Sequence, residues 1–256
     1  MSRPLLEILA YEPTPLGLIC LRRRELLSRP GTIVTEITLD HELLISSHVT
    51  ESERRLARLA LEMHNGDGLR VLVGGLGLGY TVREVLTSPP ERVACVEVVE
   101  LLPQVIDWLN RDLTPLAAEL KADHRLRVVQ GDIYARLAGP VPPAEQRAAA
   151  GDPGRRPALP EATAPWDLVL IDVDHSPDEP LGSTDTAFYT EAGLRRAARH
   201  LAPHGVLAVW SYAPHSPFAE ALRRVFPEVR VEPVTVFNDL VREEQTDWLF
   251  LARNGG

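Results

Sequence analysis

The sequence predicts an α/β protein: a largely parallel sheet with helices on both faces, preceded by a small β-rich unit. Three observations carry this. From Leu69 onward, apolar runs alternate with amphipathic ones, the order in which βα units build a parallel sheet. The apolar runs lack inside–outside alternation, as strands buried on both faces must. The first of them opens into a glycine-rich turn, Val71-Leu72-Val73-Gly74-Gly75-Leu76-Gly77-Leu78-Gly79-Tyr80.

The 256 residues suffice for one good core, or for one core with a small accessory unit. In residues 1–49 the apolar stretches are short and separated by Pro, Gly and Ser. Strands are expected at Leu16–Leu21, Ile33–Leu39 and Glu42–Ser46. Arg22-Arg23-Arg24 reads as a solvated strand edge or turn. Thr50-x-x-Glu53 has the spacing of a capping box and opens a helix whose Leu56, Leu59, Ala60 and Met63 share a face. The main domain, residues 50–256, continues with strands at Arg70–Val73, Val93–Val98, Arg127–Gln130, Asp167–Asp172 and Val206–Trp210. Helices are expected at Thr81–Leu86, Pro103–Asp112, Thr186–Leu201 and Pro217–Val225. Two last β-rich runs, Arg230–Phe237 and Asp247–Ala252, suit a hairpin at the sheet edge. Residues 138–165 are rich in Ala, Pro, Gly and charge without periodicity, and read as a flexible insertion.

Bulk properties narrow the function. A net charge of −9 argues against nucleic acid as a partner, since that affinity rests on phosphate neutralisation. No apolar run reaches the ~18 residues of a membrane span, and no signal peptide is evident, so a cytoplasmic enzyme is expected. Cys20 and Cys95 sit in apolar runs as buried thiols, and neither they nor the scattered histidines have metal-ligand spacing. No G-x-S-x-G elbow supports a serine hydrolase.

The glycine turn is the strongest chemical signal. Gly75, Gly77 and Gly79 follow a strand and precede a helix, where a Rossmann-like sheet holds a nucleoside cofactor. The third glycine falls one residue too early for G-x-G-x-x-G, which suits a cofactor without a pyrophosphate. Glu97, at the end of the next strand, is placed to accept from ribose hydroxyls, since a carboxylate offers two oxygens to a vicinal diol. Glu100 is the nearby alternative. Asp132, after Gly131 and before Ile133, follows the third strand and is placed to accept from an adenine amino group. Asp172, Asp174 and His175 cluster at the carboxyl end of the fourth strand, where open α/β sheets bind ligands. They are candidates for orienting or deprotonating an acceptor.

With strand, loop, helix, acid and Gly-Asp in this order, the chain resembles the spermidine synthase-like branch of the class I methyltransferase fold. The likeness spans nearly the whole chain and is densest at Val71–Leu86, Val93–Val105, Gly131-Asp132, Trp166–Asp172, Phe188-Tyr189 and Leu201–Leu207. Arg83-Glu84-Val85 after the glycine loop is typical of aminopropyltransferases. The resemblance implies cofactor binding by Gly75, Gly77, Gly79, Glu97, Asp132, Ile133 and Asp172, catalysis by Asp172 and Asp174, and a homodimer.

The departures bear on chemistry. Aligned on Arg83, the acid of the family's G-G-G-D-G-G becomes Leu78 and its last glycine Tyr80. In the family's D-x-x-D-P loop, Asp172 matches the first acid, His175 stands at the second, and Asp174 falls one residue early. The glutamine after the next strand is replaced around Trp210. The late P-x-Y-P segment reads Val234-Thr235-Val236-Phe237-Asn238, and Leu43–Arg55 lacks the Gln and Tyr that grip a polyamine. These differences imply a relative with a changed acceptor. The expected activity is methyl transfer from S-adenosylmethionine to a small amine or hydroxyl acceptor. Aminopropyl transfer from decarboxylated S-adenosylmethionine and a non-catalytic nucleoside-binding role are the alternatives.

Overall fold

The computed structural model describes residues 5–141, 165–173, 187–214, 216–238 and 242–256. Asp174, His175 and residues 142–164 of the expected insertion lie outside the described residues.

Four strands open the chain as an antiparallel meander in sequence order: β1 (Leu6–Thr14), β2 (Gly17–Glu25), β3 (Ile33–Leu39) and β4 (Glu42–Ser46). β1 has no counterpart among the expected strands. Its register slips between Ile8 and Ala10, and such a bulge breaks the period-2 pattern by which a strand is recognised. The three arginines lie within β2 rather than in a turn. Arg22 and Arg24 converge on Glu36 of β3 at 2.8 and 2.7 Å. Burial alone would raise the Glu36 carboxyl, but the two guanidiniums outweigh it and hold it below its ordinary value.

The helix α1 (Glu51–Met63) follows, burying Leu56, Ala57, Ala60 and Met63. Thr50 is its N-cap, yet among the described residues its side chain makes no capping bond, so the expected capping box does not form. Glu53 is instead buried.

The remaining strands form one seven-stranded sheet: β5 (Leu69–Gly74), β6 (Val93–Glu100), β7 (Leu126–Gln130), β8 (Trp166–Ile171), β9 (Leu201–Ser211), β10 (Glu228–Asn238) and β11 (Glu243–Arg253). Their order is β10-β11-β9-β8-β5-β6-β7. β5 through β9 pair in parallel, whereas β11 runs antiparallel to both β9 and β10. The terminal hairpin is the expected one.

Both faces of this sheet are covered. Val71, Val73, Leu168, Leu170, Val206, Ala208, Leu249 and Leu251 join one core. Leu72, Val169, Ile171, Leu207, Val209, Phe250 and Ala252 alternate with them into the other. The first core packs against α1, α2 (Tyr80–Leu86), α3 (Pro103–Asn110) and α4 (Ala117–Ala122), together with Ile19, Leu21 and Ile37 of the meander. The second packs against α5 (Ile133–Ala138), α6 (Glu191–Ala198) and α7 (Ser216–Val225). α4 was too short to show a helical period. α6 covers only part of the expected helix: the Thr190 side chain caps its start by accepting the Gly193 N–H, and Leu201 already opens β9. Trp108 is fully buried on α3, and its indole N–H donates to Glu12 of β1 at 3.0 Å, tying the meander to the main sheet.

Candidate active site

The sheet order reverses beside β5, whose neighbours are β6 on one side and β8 on the other. Crossovers leave in opposite directions there, which opens a crevice at the carboxyl ends of the strands. The glycine loop crosses this crevice. Gly75 has φ +90°, and a Cβ on it would stand 2.3 Å from the Asp172 carbonyl, so only glycine lets the loop pass so close to the end of β8. The Gly79 carbonyl accepts the Arg83 N–H at 2.8 Å and starts α2.

A cleft of about 800 Å³, its open mouth included, lies over the loop. Gly75 and Gly77 line it together with Glu100, Leu102 and Val105 from the β6–α3 corner and with Asp172 and Val173 from β8. Glu53 of α1, Trp210 of β9, and Ile19, Ile37, Leu44 and Ile45 of the meander complete the lining.

Glu100, not Glu97, is the acid of β6 that reaches the cleft. Glu97 does not line it, because β6 runs to Glu100, two residues past its expected end. Glu97 pairs in register with Leu72 and Arg127 within the sheet. It forms ion pairs with Arg136 at 2.5 Å and Arg127 at 3.8 Å. The buried Glu100 carboxylate accepts the Leu76 N–H at one oxygen and the Leu102 N–H at the other, both at 2.8 Å. It thereby locks the glycine loop to the strand end. Burial raises its carboxyl above the ordinary range, with the backbone N–H groups of Leu102, Leu76, Gly77 and Leu101 opposing.

Asp132 is the N-cap of α5, its Oδ1 accepting the Tyr134 and Ala135 N–H groups at 2.8 and 3.1 Å. Ile133 packs under β5, where a Cβ on Gly74 would meet it at 2.7 Å. Neither lines the cleft; Asp132 borders a separate cavity with Tyr134, Phe188 and Arg196. Asp172 does line it, and its Oδ2 accepts the Thr81 hydroxyl at 2.6 Å.

Two further acids belong to this site and were not read from the sequence. Glu53 accepts the Ser52 hydroxyl at 3.1 Å and is pushed up to about 8, first by burial and then by the charge of Asp172. Asp172 is pushed up to about 6 by burial, with Asp247 adding to the rise and the Thr81 bond opposing it. Burial also raises Asp247 of β11, against the Ser52 hydroxyl and the Trp210 indole N–H beside it. Both acids carried a signal. Glu53 lies on the same helix face as Leu56 and Ala60, and Asp247 on the same strand face as Leu249 and Leu251. An acid on a buried stripe demands a reason. Three carboxyls so arranged can hold a cation or accept a proton.

No protein-family model and no curated protein matches the sequence. Solved structures do match. A spermidine synthase in complex with the transition-state analogue AdoDATO superposes with a TM-score of 0.68 at 18% identity, covering 97% of this chain and 74% of that one. Spermidine synthase from Thermotoga maritima gives 0.66 at 16% identity over 97% and 73%. A probable spermidine synthase from Corynebacterium glutamicum gives 0.56 at 16% identity over 99% and 80%. The chain therefore has a spermidine synthase-like fold, a seven-stranded sheet of the class I methyltransferase type with a four-stranded antiparallel sheet ahead of it.

Proposed function

We propose that the chain is a transferase that binds S-adenosylmethionine, or a nucleoside sulfonium related to it, and moves a carbon group from it to an amine or hydroxyl acceptor. The carrying observation is the meeting of Glu53 and Asp172 with the Gly75–Gly77 loop in one cleft at the switch point of the sheet. The loop backbone lies under the donor, and Glu100, which lines the cleft, replaces Glu97 as the acid beside the ribose. Asp132 and Ile133, at the neighbouring strand end, are left for the adenine.

The chemistry asks little beyond position. The acceptor lone pair forms a bond to the sulfonium-bound carbon while the C–S bond breaks, and the neutral thioether leaves with the electron pair. The acceptor proton passes to Asp172. Holding the nucleophile in line with that carbon supplies much of the acceleration.

Methyl transfer from full S-adenosylmethionine is the favoured form, because Leu78 is 1% exposed within the core and offers no carboxylate to an amine-terminated donor. Aminopropyl transfer is the second reading, favoured by superposition on spermidine synthases over 97% of the chain, meander included. Calorimetric titration of both donors separates them. Methyl transfer predicts tighter binding of S-adenosylmethionine; binding of the decarboxylated form alone sinks it, and binding of neither sinks both.

A further inference from the structure

The acceptor end of the cleft is built asymmetrically. Its charge comes from α1 and the end of β8, where Glu53 interacts with Asp172 and Asp247 acts on both. The third acid of the lining, Glu100, is on the donor side and has each oxygen bonded to a loop N–H. The wall supplied by the meander is aliphatic throughout: Ile19, Ile37, Leu44 and Ile45. A diamine or polyamine needs a counter-charge for each ammonium along its length. A second ammonium a few carbons from the first would stand against this wall and lose its hydration with nothing among the described residues to replace it.

Resting on the transferase reading, we propose that the acceptor is an amine with one cationic head and an apolar body, its head between Glu53 and Asp172 and its body along Ile19, Ile37, Leu44 and Ile45. The charge of Asp172 adds to the rise of Glu53, and a single cation between them removes that repulsion. In the reaction, the bound ammonium gives one proton to Asp172. The freed nitrogen then bonds to the sulfonium-bound carbon, and the C–S electron pair stays on sulfur. The products are the alkylated ammonium and a neutral thioether.

Titration of the full chain with hexylamine, 1,6-diaminohexane and 1-hexanol tests this, with and without saturating S-adenosylhomocysteine. Hexylamine is expected to bind at least tenfold tighter than either competitor. From butylamine to hexylamine, affinity should rise about fourfold per methylene, the ordinary effect of burying one. Glu53→Gln should weaken hexylamine at least tenfold and leave hexanol unchanged. A diamine that binds as well as the monoamine, affinity independent of chain length, or no amine binding at all overturns the proposal. The wild-type ligand series decides it even where Glu53→Gln does not fold. Amine selectivity without any nucleoside binding would instead reject the transferase reading, and with it the acceptor role, leaving the cleft an amine-binding site.

Discussion

The Thr81 hydroxyl, in the first turn of α2, donates to Asp172 Oδ2 at the end of β8 across 2.6 Å. The helix that follows the glycine loop thus holds the acid on the opposite lip of the crevice. Burial pushes Asp172 up to about 6, and this bond is what opposes the rise. Thr81→Val keeps the shape and removes the donor, so Asp172 should titrate higher still. The acidic limb of the transfer rate, and the carboxyl carbon titration of Asp172 by NMR, should move up by about one pH unit, with about a fivefold loss of rate at pH 6. An unmoved titration would remove Thr81 from this role.

Glu53 makes stability depend on pH. Its folded carboxyl titrates near 8, well above the 4.5 of an unperturbed glutamate. Between those values the folded chain holds a proton that the unfolded chain has released, so stability falls as pH rises through this window. Asp172 and Asp247, also raised, tilt the curve the same way. Glu53→Gln removes the charge and keeps an acceptor for Ser52. At pH 8.5 it should raise stability by roughly 2 kcal/mol, or about 4–8 °C in Tm, and at pH 4 it should change little. Thermal melts at both values check this. An equal effect at both would mean that the glutamate is not ionising in the folded protein.

The glycine loop was legible in the sequence because its chemistry is local: a strand, a turn that admits only small residues, then a helix. The site acids were less so. T-x-x-E has the same spelling whether its glutamate turns back on the helix end or, as Glu53 does, inward to the cleft. Glu97 and Glu100 differ in role only because β6 runs two residues past its apolar core, and strand ends are set by pairing with β5 and β7 rather than by the residues themselves. Asp247 reaches the site through the pairing of Trp248 with Ser211, 37 positions apart in numbering; its place on a buried strand face marks it as unusual, but no local pattern says which strand it meets. Arg22 and Arg24 of β2 read as a solvated strand edge or turn because their partner, Glu36, stands on another strand.

Glu97 and Glu100 should separate cleanly by mutation. Glu100→Gln leaves one acceptor for the two loop N–H groups of Leu76 and Leu102, and weakens the acid proposed for the ribose. Nucleoside affinity should fall about 10- to 100-fold, that is by about 1.4–2.8 kcal/mol. Glu97→Gln strips Arg136 and Arg127 of their buried partner and should cost on the order of 1–3 kcal/mol of stability with nucleoside affinity held within about twofold. Titration with S-adenosylhomocysteine beside chemical denaturation reads both. The reverse pattern would return the ribose to Glu97.

Gly75 and Gly77 both have positive φ, yet alanine should harm them unequally. At Gly75 the added Cβ would meet the Asp172 carbonyl at 2.3 Å, and that carbonyl is backbone, fixed by the pairing of β8 with β5. Neither the loop nor the strand can yield without opening the crevice. At Gly77, with φ +49°, the Cβ would meet Ile45 Cδ1 at 3.2 Å, the far end of a side chain that can rotate away. Left-handed backbone for alanine costs about 1–2 kcal/mol by itself. Gly75→Ala should therefore lose on the order of 3 kcal/mol or more, about 6–12 °C in Tm, and Gly77→Ala roughly 1–2 kcal/mol, about 2–8 °C. Because Gly77 and Ile45 both line the cleft, Gly77→Ala should also weaken nucleoside binding, whereas Gly77→Ala combined with Ile45→Val should recover part of it. Equal losses at the two glycines would mean that the loop can slide away from β8, and that the close approach of Gly75 to Asp172 is not what shapes the cleft.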